Sequence, residues 1–255
     1  KDMKKTFCLS LILMAGALSL AAQQPSAVDR VNPIIGTNKM GHVFPGACVP
    51  HGIVALSPDT DTIPHNIDGV YQPRTYEYCA GYQHKDSTIV GFSHTHFSGT
   101  GHSDLGDILI MPTTGVLKLN PGTATDPDSG YRSRFSHDTE IATPGYYEVM
   151  LSDYGVKAQL TATERTGVHR YTYPTDADTS RIILDMNHAI YNYDGKVLWA
   201  SVQVVNDSTL VGYRITNGWA RANYTYFAMK FSKPFTNYGY VDHKKPKYMG
   251  HLAKF

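Results

Sequence analysis

The sequence predicts an all-β fold, an antiparallel β-supersandwich of two large packed sheets. Three observations carry that expectation. Apolar, β-branched and aromatic residues come in short runs broken by Gly, Pro, Asn and Asp along the whole body of the chain. Several runs alternate. In Val156-Lys-Ala-Gln-Leu-Thr-Ala-Thr163 the residues Val156, Ala158, Leu160 and Ala162 share one face and the polar residues the other, the signature of a half-buried antiparallel strand. Beyond residue 22 no stretch keeps a helical apolar period over eleven or more residues.

The N-terminus is different. Lys4 and Lys5 precede an apolar run over residues 7–20, and the small residues Ser19, Ala21 and Ala22 close it. Charge, apolar run and small residues in that order predict a secretory signal peptide at residues 1–22, and the run is short for a membrane span. Residues 23–255 then form one domain, long enough for a well-buried core. Lys1 and Asp2 stand before a natural-looking start at Met3, and the last residues carry no tail signal. Both ends read as those of an excerpt, of a protein exported to the periplasm or cell surface with no stable membrane span once the signal is removed.

Strands are expected at residues 53–57, 89–93, 108–112, 146–152, 156–163, 167–173, 182–186, 197–205, 209–215 and 224–231. Asp153-Tyr-Gly155 and Asn206-Asp-Ser208 lie between alternating runs and read as hairpin turns. Residues 31–107 are rich in Gly, Pro and His and poor in regular runs. Long irregular segments of this kind are functional or disordered, and the aromatic content argues against disorder.

Composition narrows the partners. The formal net charge is +1, and the one basic cluster, His243-Lys-Lys-Pro-Lys247, reads as a solvated loop. Nucleic acid is therefore not expected as a partner. Cys48 and Cys79 either pair in an oxidising compartment or stay as thiols; both readings are open. There is no Cys-x-x-Cys. Neither a structural zinc site nor a disulfide scaffold is indicated.

The densest chemistry lies in Gly91-Phe-Ser-His-Thr-His-Phe-Ser-Gly-Thr-Gly-His-Ser-Asp-Leu-Gly-Asp107. A strand continuing past Ser93 would put His94 and His96 on one face. Imidazoles, hydroxyls and the amides of a Gly-rich turn offer both donors and acceptors, which sugar hydroxyls require. Three readings compete: a loop that bonds its own backbone, a transition-metal site using His94, His96 and His102, and part of a carbohydrate pocket. Asp104 and Asp107 read as loop-ordering carboxylates. His188, at the end of an apolar run, reads as structural.

An ordered series of motifs extends along the body: Val31-Asn-Pro-Ile-Ile-Gly-Thr37, Phe44-Pro-Gly-Ala47, Pro50-His-Gly-Ile53, Leu56-Ser-Pro-Asp-Thr60, Ala80-Gly-Tyr82, the Gly91–Gly101 stretch, Gly106-Asp-Ile108 and Met111-Pro-Thr113. Phe135-Ser-His137, Pro144-Gly-Tyr-Tyr147, Leu160-Thr-Ala-Thr163 and His169-Arg-Tyr171 continue it. In order and spacing the series resembles the N-terminal domain of glycoside hydrolase family 92.

That resemblance implies a calcium-dependent, exo-acting, inverting α-mannosidase, α-1,2-like, acting on mannose-containing glycans. Its β-supersandwich would pack on a C-terminal (α/α)6 barrel absent from this chain. The barrel would bring the catalytic acid and base and most calcium ligands, so no catalytic residue and no metal ligand is assigned here, and the chain alone is expected to be inactive. Gly46, Tyr76, His94, His96, Ser98, Gly99 and Thr100 are the expected substrate-binding residues. Tyr76 stands where the family tends to carry a tryptophan, after an apparent insertion at residues 68–74, and His51 replaces a commoner aromatic. A non-catalytic periplasmic carbohydrate-binding module is the alternative.

Overall fold

A computed structural model describes residues 26–242 and 245–252, with side chains through residue 241. The expected signal segment and the basic cluster's side chains lie outside the described residues. The chain divides into two compact units, residues 1–31 and 32–255. In the first, the described residues hold a 3-10 turn at Val28–Arg30.

The second unit is built of strands. The irregular first third contributes β1 (Ala47–Cys48), β2 (Ala55–Asp59), β3 (Asn66–Ile67), β4 (Val70–Tyr71), β5 (Thr88–Ile89) and β6 (Gly91–Ser93). Then come β7 (Leu109–Thr114), β8 (Ser133–Arg134), β9 (Ile141–Thr143), β10 (Tyr146–Leu151), β11 (Val156–Ala162), β12 (Gly167–Thr172) and β13 (Ser180–Asp185). The last are β14 (Val197–Asn206), β15 (Thr209–Thr216), β16 (Asn223–Lys230), β17 (Asn237–Asp242) and β18 (Lys245–Leu252). Helical elements among the described residues are 3-10 turns of three to six residues. No described helix is long and apolar enough to cross a membrane.

All described pairings are antiparallel. The sandwich consists of a five-stranded sheet, order β1-β2-β6-β7-β13, and a four-stranded sheet, order β12-β11-β10-β9. A separate three-stranded sheet holds β14-β15-β16, and three two-stranded pairs complete the set. The described strands thus fall into six sheets rather than two. Two-residue pieces such as β3 and β5 form isolated pairs instead of joining a large sheet, β3 with the adjacent β4 and β5 with the distant β8, and pieces so short carry no periodic signal in sequence.

Strict alternation builds the core. Tyr147, Val149 and Leu151 of β10 point inward with Val156, Ala158 and Leu160 of β11. The hairpin joining them registers Leu151 opposite Val156, and Gly155 supplies the positive φ of the turn. These side chains meet Leu56 of β2, Phe92 of β6, and Leu109 and Met111 of β7 in one cluster. The expected strand at 89–93 is broken at Val90, whose N–H donates to the Asp59 carbonyl at 2.8 Å.

The β14–β16 sheet has two unlike faces. Trp199 registers with Ile215 and Ile215 with Tyr224; Ser201 registers with Tyr213 and Tyr213 with Tyr226. Trp199, Tyr224 and Tyr226 on that face are exposed. Arg214 lies on the other face and is buried.

Truncating the core is expected to be costly where it is tightly filled. Leu151→Ala should lower unfolding free energy by about 2–5 kcal/mol. Val205→Ala, on exposed β14, should change it by no more than about 0.5 kcal/mol. Urea denaturation of both variants checks the contrast.

Candidate functional site

The long loop between β6 and β7 is clamped at its base. The His94 N–H donates to the Asp107 carbonyl at 2.9 Å, and the Gly106 N–H to the Thr95 carbonyl at 2.9 Å. Thr95 Oγ1 donates to Asp107 Oδ2 at 2.7 Å and accepts from the Asp107 N–H at 2.9 Å. Gly106, at φ +79°, packs against the Ile190 backbone, where an added Cβ would come within 2.7 Å.

Cations from β15 and from the residue before β14 hold the two loop carboxylates. Arg214 Nε donates to Asp107 Oδ1 at 2.8 Å, and Nη1 donates to the carbonyls of Met186 at 3.2 Å and His188 at 2.5 Å. Lys196 Nζ bonds Asp104 Oδ1, while the N–H groups of Leu105 and Trp219 donate to the same carboxylate at 2.9 and 3.1 Å. Burial pushes the Asp104 carboxyl up, but Lys196 and these amides outweigh it and hold it below the usual range. The expected loop-ordering role of both aspartates is thus supplemented by charge pairs about a hundred residues apart in sequence, which no local pattern announces.

Beneath the loop, Asp59 of β2 is fully buried between two histidines. His96 Nε2 lies 2.9 Å from Oδ1 and His188 Nε2 2.8 Å from Oδ2. Burial pushes this carboxyl up; attraction to His96 and hydrogen bonds from His188 and His96 prevail, and it is held well below the carboxylate range. His96 Nδ1 donates to the Ala55 carbonyl at 2.6 Å, so both its ring nitrogens face oxygens of this chain, and its side chain has no exposed area.

His94 takes a different direction. β6 ends at Ser93, so the alternation that would align His94 with His96 does not extend that far. His94 Nδ1 donates to the Ile108 carbonyl at 2.7 Å, which leaves its Nε2 as an acceptor for His169 Nε2 at 3.0 Å. The Tyr171 hydroxyl in turn donates to His169 Nδ1 at 2.7 Å. Burial, then the proximity of the other ring, keeps the His169 imidazole well below the usual histidine range; burial leads for His94 as well, and its pKa is also lowered.

The open part of the loop is its tip. Ser98 and Gly99 are exposed and Thr100 is half-buried. Gly99, at φ +74°, has open space where a Cβ would stand, and its N–H donates to the His42 carbonyl at 2.6 Å. Phe97 packs on Trp219 with ring centroids 5.2 Å apart, and His102 packs on Trp219 at 5.4 Å. His65 lies 4.0 Å from Tyr191, 5.5 Å from His102 and 5.7 Å from Tyr76, nearly parallel to the last. Five segments therefore bring Tyr76 and His102 into one aromatic surface with His65, Tyr191 and Trp219. Trp219 is 60% exposed, and the His65 Nε2 atom is buried without a hydrogen-bond partner.

Gly46 packs against β2. A Cβ there would stand 2.1 Å from the Leu56 carbonyl oxygen, so this glycine lets the chain press against β2. His65, Tyr191 and Trp219 escape sequence reasoning because they sit in irregular segments without period; their aromatic character is the only signal.

Metal chemistry can be tested against these partners. Calcium takes about six to eight oxygen ligands. Asp59, Asp104 and Asp107 are committed to His, Lys and Arg partners, so the carboxylates around this loop do not fit a calcium cage. His94, His96 and His102 do not converge: each engages a different oxygen or ring of the chain. Cys48 and Cys79 are both free thiols.

The sequence model of the glycosyl hydrolase family 92 N-terminal domain matches residues 30–253. The chain belongs to that family. Two solved structures of the family GH92 alpha-mannosidase BT3965 from Bacteroides thetaiotaomicron are 44% identical to it. The complex with mannoimidazole aligns with TM-score 0.73 over 86% of this chain and 27% of its own; the other, with no ligand named, aligns at 0.75 over 89% and 28%. The gh92 family glycosyl hydrolase ccman5 is 26% identical, with TM-score 0.67 over 89% of this chain and 30% of its own. A curated relative from Arthroderma benhamiae, described as an uncharacterized secreted glycosidase, is 31% identical over 165 residues, 61% of this chain and 18% of its own length. The chain thus spans less than a third of the relatives it matches.

Two outcomes test the framework of this family 92 domain. Arg214→Met strands Asp107 without its cation and should cost about 3–5 kcal/mol, and adding Asp107→Asn should recover part of it. Denaturant titrations of the single and double variants measure both. The second concerns pH. His94 and His169 have folded pKa values below their unfolded value of about 6.5, so the unfolded chain binds more protons. Their contribution is fully present above about pH 6.5 and is lost as pH falls below it, by about 1.4 kcal/mol per pH unit for each imidazole kept neutral. A melting-temperature series from pH 7.5 to 5 should slope down, and His94→Gln/His169→Gln should flatten it.

Proposed function

We propose that this domain supplies one wall of the sugar site of an exo-acting, inverting α-mannosidase, α-1,2-like, exported to the periplasm or cell surface. The observation that carries the reading is the aromatic surface beside the exposed Ser98-Gly99-Thr100 tip, in a chain 44% identical to an α-mannosidase solved with mannoimidazole. Aromatic rings stack on the apolar faces of sugars, while hydroxyls meet their polar edges. Within this wall, Tyr76, Trp219 and the 98–100 tip would touch the glycan. His94 and His96 would position the loop from below, and Gly46 would set its distance from β2.

Inverting hydrolysis needs a protonated carboxyl at the leaving oxygen and a carboxylate that activates water on the opposite face. A general acid works with a raised pKa. Asp59 and Asp104 are held below the usual range, and buried Asp107 is paired with Arg214. That supports an acid, a base and calcium ligands contributed by polypeptide beyond this chain, in keeping with relatives about three times its length. In this reading the exposed face of β14–β16 completes the supersandwich against that polypeptide or docks the (α/α)6 barrel.

The commitment of every carboxylate beneath the loop also favours a second reading, a carbohydrate-binding module without hydrolysis. One experiment separates the two. The complete protein with calcium should release mannose from α-mannosides, and the 255-residue chain alone should not. Tyr76→Ala and Trp219→Ala should each lower kcat/KM about tenfold, equivalent to about 1.4 kcal/mol, with little change in melting temperature. No mannose release by the complete protein, alongside retained glycan binding, would favour the module.

A further inference from the structure

Away from the loop, a second group of chemistry-bearing side chains converges on the four-stranded sheet. Glu140 follows the 3-10 turn His137–Thr139, and its N–H donates to the His137 carbonyl at 3.2 Å. That turn places His137 Nδ1 2.6 Å from Glu140 Oε2. His84 arrives from a distant segment, fixed by its N–H to the Thr37 carbonyl at 2.9 Å, and its Nδ1 lies 4.0 Å from the same oxygen. The two imidazole centroids are 4.0 Å apart, and one ligand atom from each of the three residues lies within 4.8 Å of the others.

We infer that His84, His137 and Glu140 form a binding site for a divalent transition metal of the zinc class. The donor set is two imidazoles and one carboxylate, the composition of open three-ligand zinc sites. Imidazole selects such ions over calcium and magnesium, which prefer all-oxygen shells. Ligands about 2.0–2.2 Å from a tetrahedral ion stand about 3.3 Å from one another. The separations of 2.6 and 4.0 Å to Glu140 fall on either side of that value and no pair exceeds 4.8 Å, so small side-chain shifts admit the ion.

The surroundings fit as well. The Glu140 carboxylate is 3% exposed; the Tyr147 hydroxyl donates to its Oε1 at 2.6 Å, and the Tyr82 hydroxyl lies 2.8 Å from Oε1, 3.0 Å from Oε2 and 3.4 Å from His84 Nδ1. Such hydrogen bonds fix a ligating carboxylate, and Oε2 is the oxygen that faces His137. The imidazoles are 39% and 36% exposed, giving an entry path and a fourth position for water. A bound ion would tie the 81–86 loop to the turn before β9, linking two stretches of chain that here share only hydrogen bonds and ring contacts. This site is independent of the mannosidase reading.

The test uses the intact protein, stripped with chelator and titrated with zinc sulfate by calorimetry. Zinc should bind in the micromolar range or tighter. His84→Ala and His137→Ala should each weaken that binding at least tenfold, while His51→Asn, an exposed histidine elsewhere, should not. In the unmutated protein, zinc should shield His84 and His137, but not His51, from diethyl pyrocarbonate, as read by peptide mass spectrometry. Absence of zinc uptake, uptake equally strong in both alanine variants, or full reactivity of His84 and His137 in the zinc-treated protein would overturn the proposal.

Discussion

Arg214 is the residue on which the arrangement of the loop depends. It is fully buried, on a strand of the three-stranded sheet, and its guanidinium reaches the side chain of Asp107 and the carbonyls of Met186 and His188. An uncompensated charge at that depth is expensive, so the arginine and its acceptors have to arrive together. This brings the base of the β6–β7 loop, the 186–190 segment and β15 to one point. Asp104 with Lys196 repeats the device a few residues upstream, and Asp59 between two histidines carries it under the loop. The polar groups that look most like a reactive cluster in sequence are, in the fold, largely the fasteners of that loop.

This division of labour matters for how the surface works. Carboxylates locked into charge pairs and imidazoles whose nitrogens are all engaged change little when a ligand arrives. The tip they support, Ser98 to Thr100, and the rings of Trp219, Tyr76 and Tyr191 can therefore be held in one geometry while remaining accessible. Rigidity is supplied from beneath, and under the proposed function recognition is left to neutral groups: hydroxyls and aromatic faces.

Much of the fold was legible in the sequence, and unevenly so. The alternation of Val156, Ala158, Leu160 and Ala162 gives a strand whose inward and outward faces are those of β11, because a half-buried strand imposes a period of two on composition. The break at Val90 was not legible, since a single backbone bond to Asp59 makes it and no side chain records it. In the site, the dense loop and Tyr76 stood out by residue type. Arg214, Lys196, His65 and Trp219 did not, because each acquires its role through a contact dozens of residues away. His94 and His96 illustrate the limit: spacing suggested a shared face, but the end of β6 at Ser93 sends one ring toward His169 and the other toward Asp59.

The two-faced sheet of β14, β15 and β16 has a further consequence. Trp199, Tyr224 and Tyr226 stand in water on one side while Arg214 anchors the other. Aromatic area of that kind, on a ladder of long strands, is adhesive toward any similar surface. Produced without a covering partner, the chain is expected to self-associate as its concentration rises. During synthesis the same ladder is a stretch on which a chaperone, or prompt burial, decides between folding and clumping.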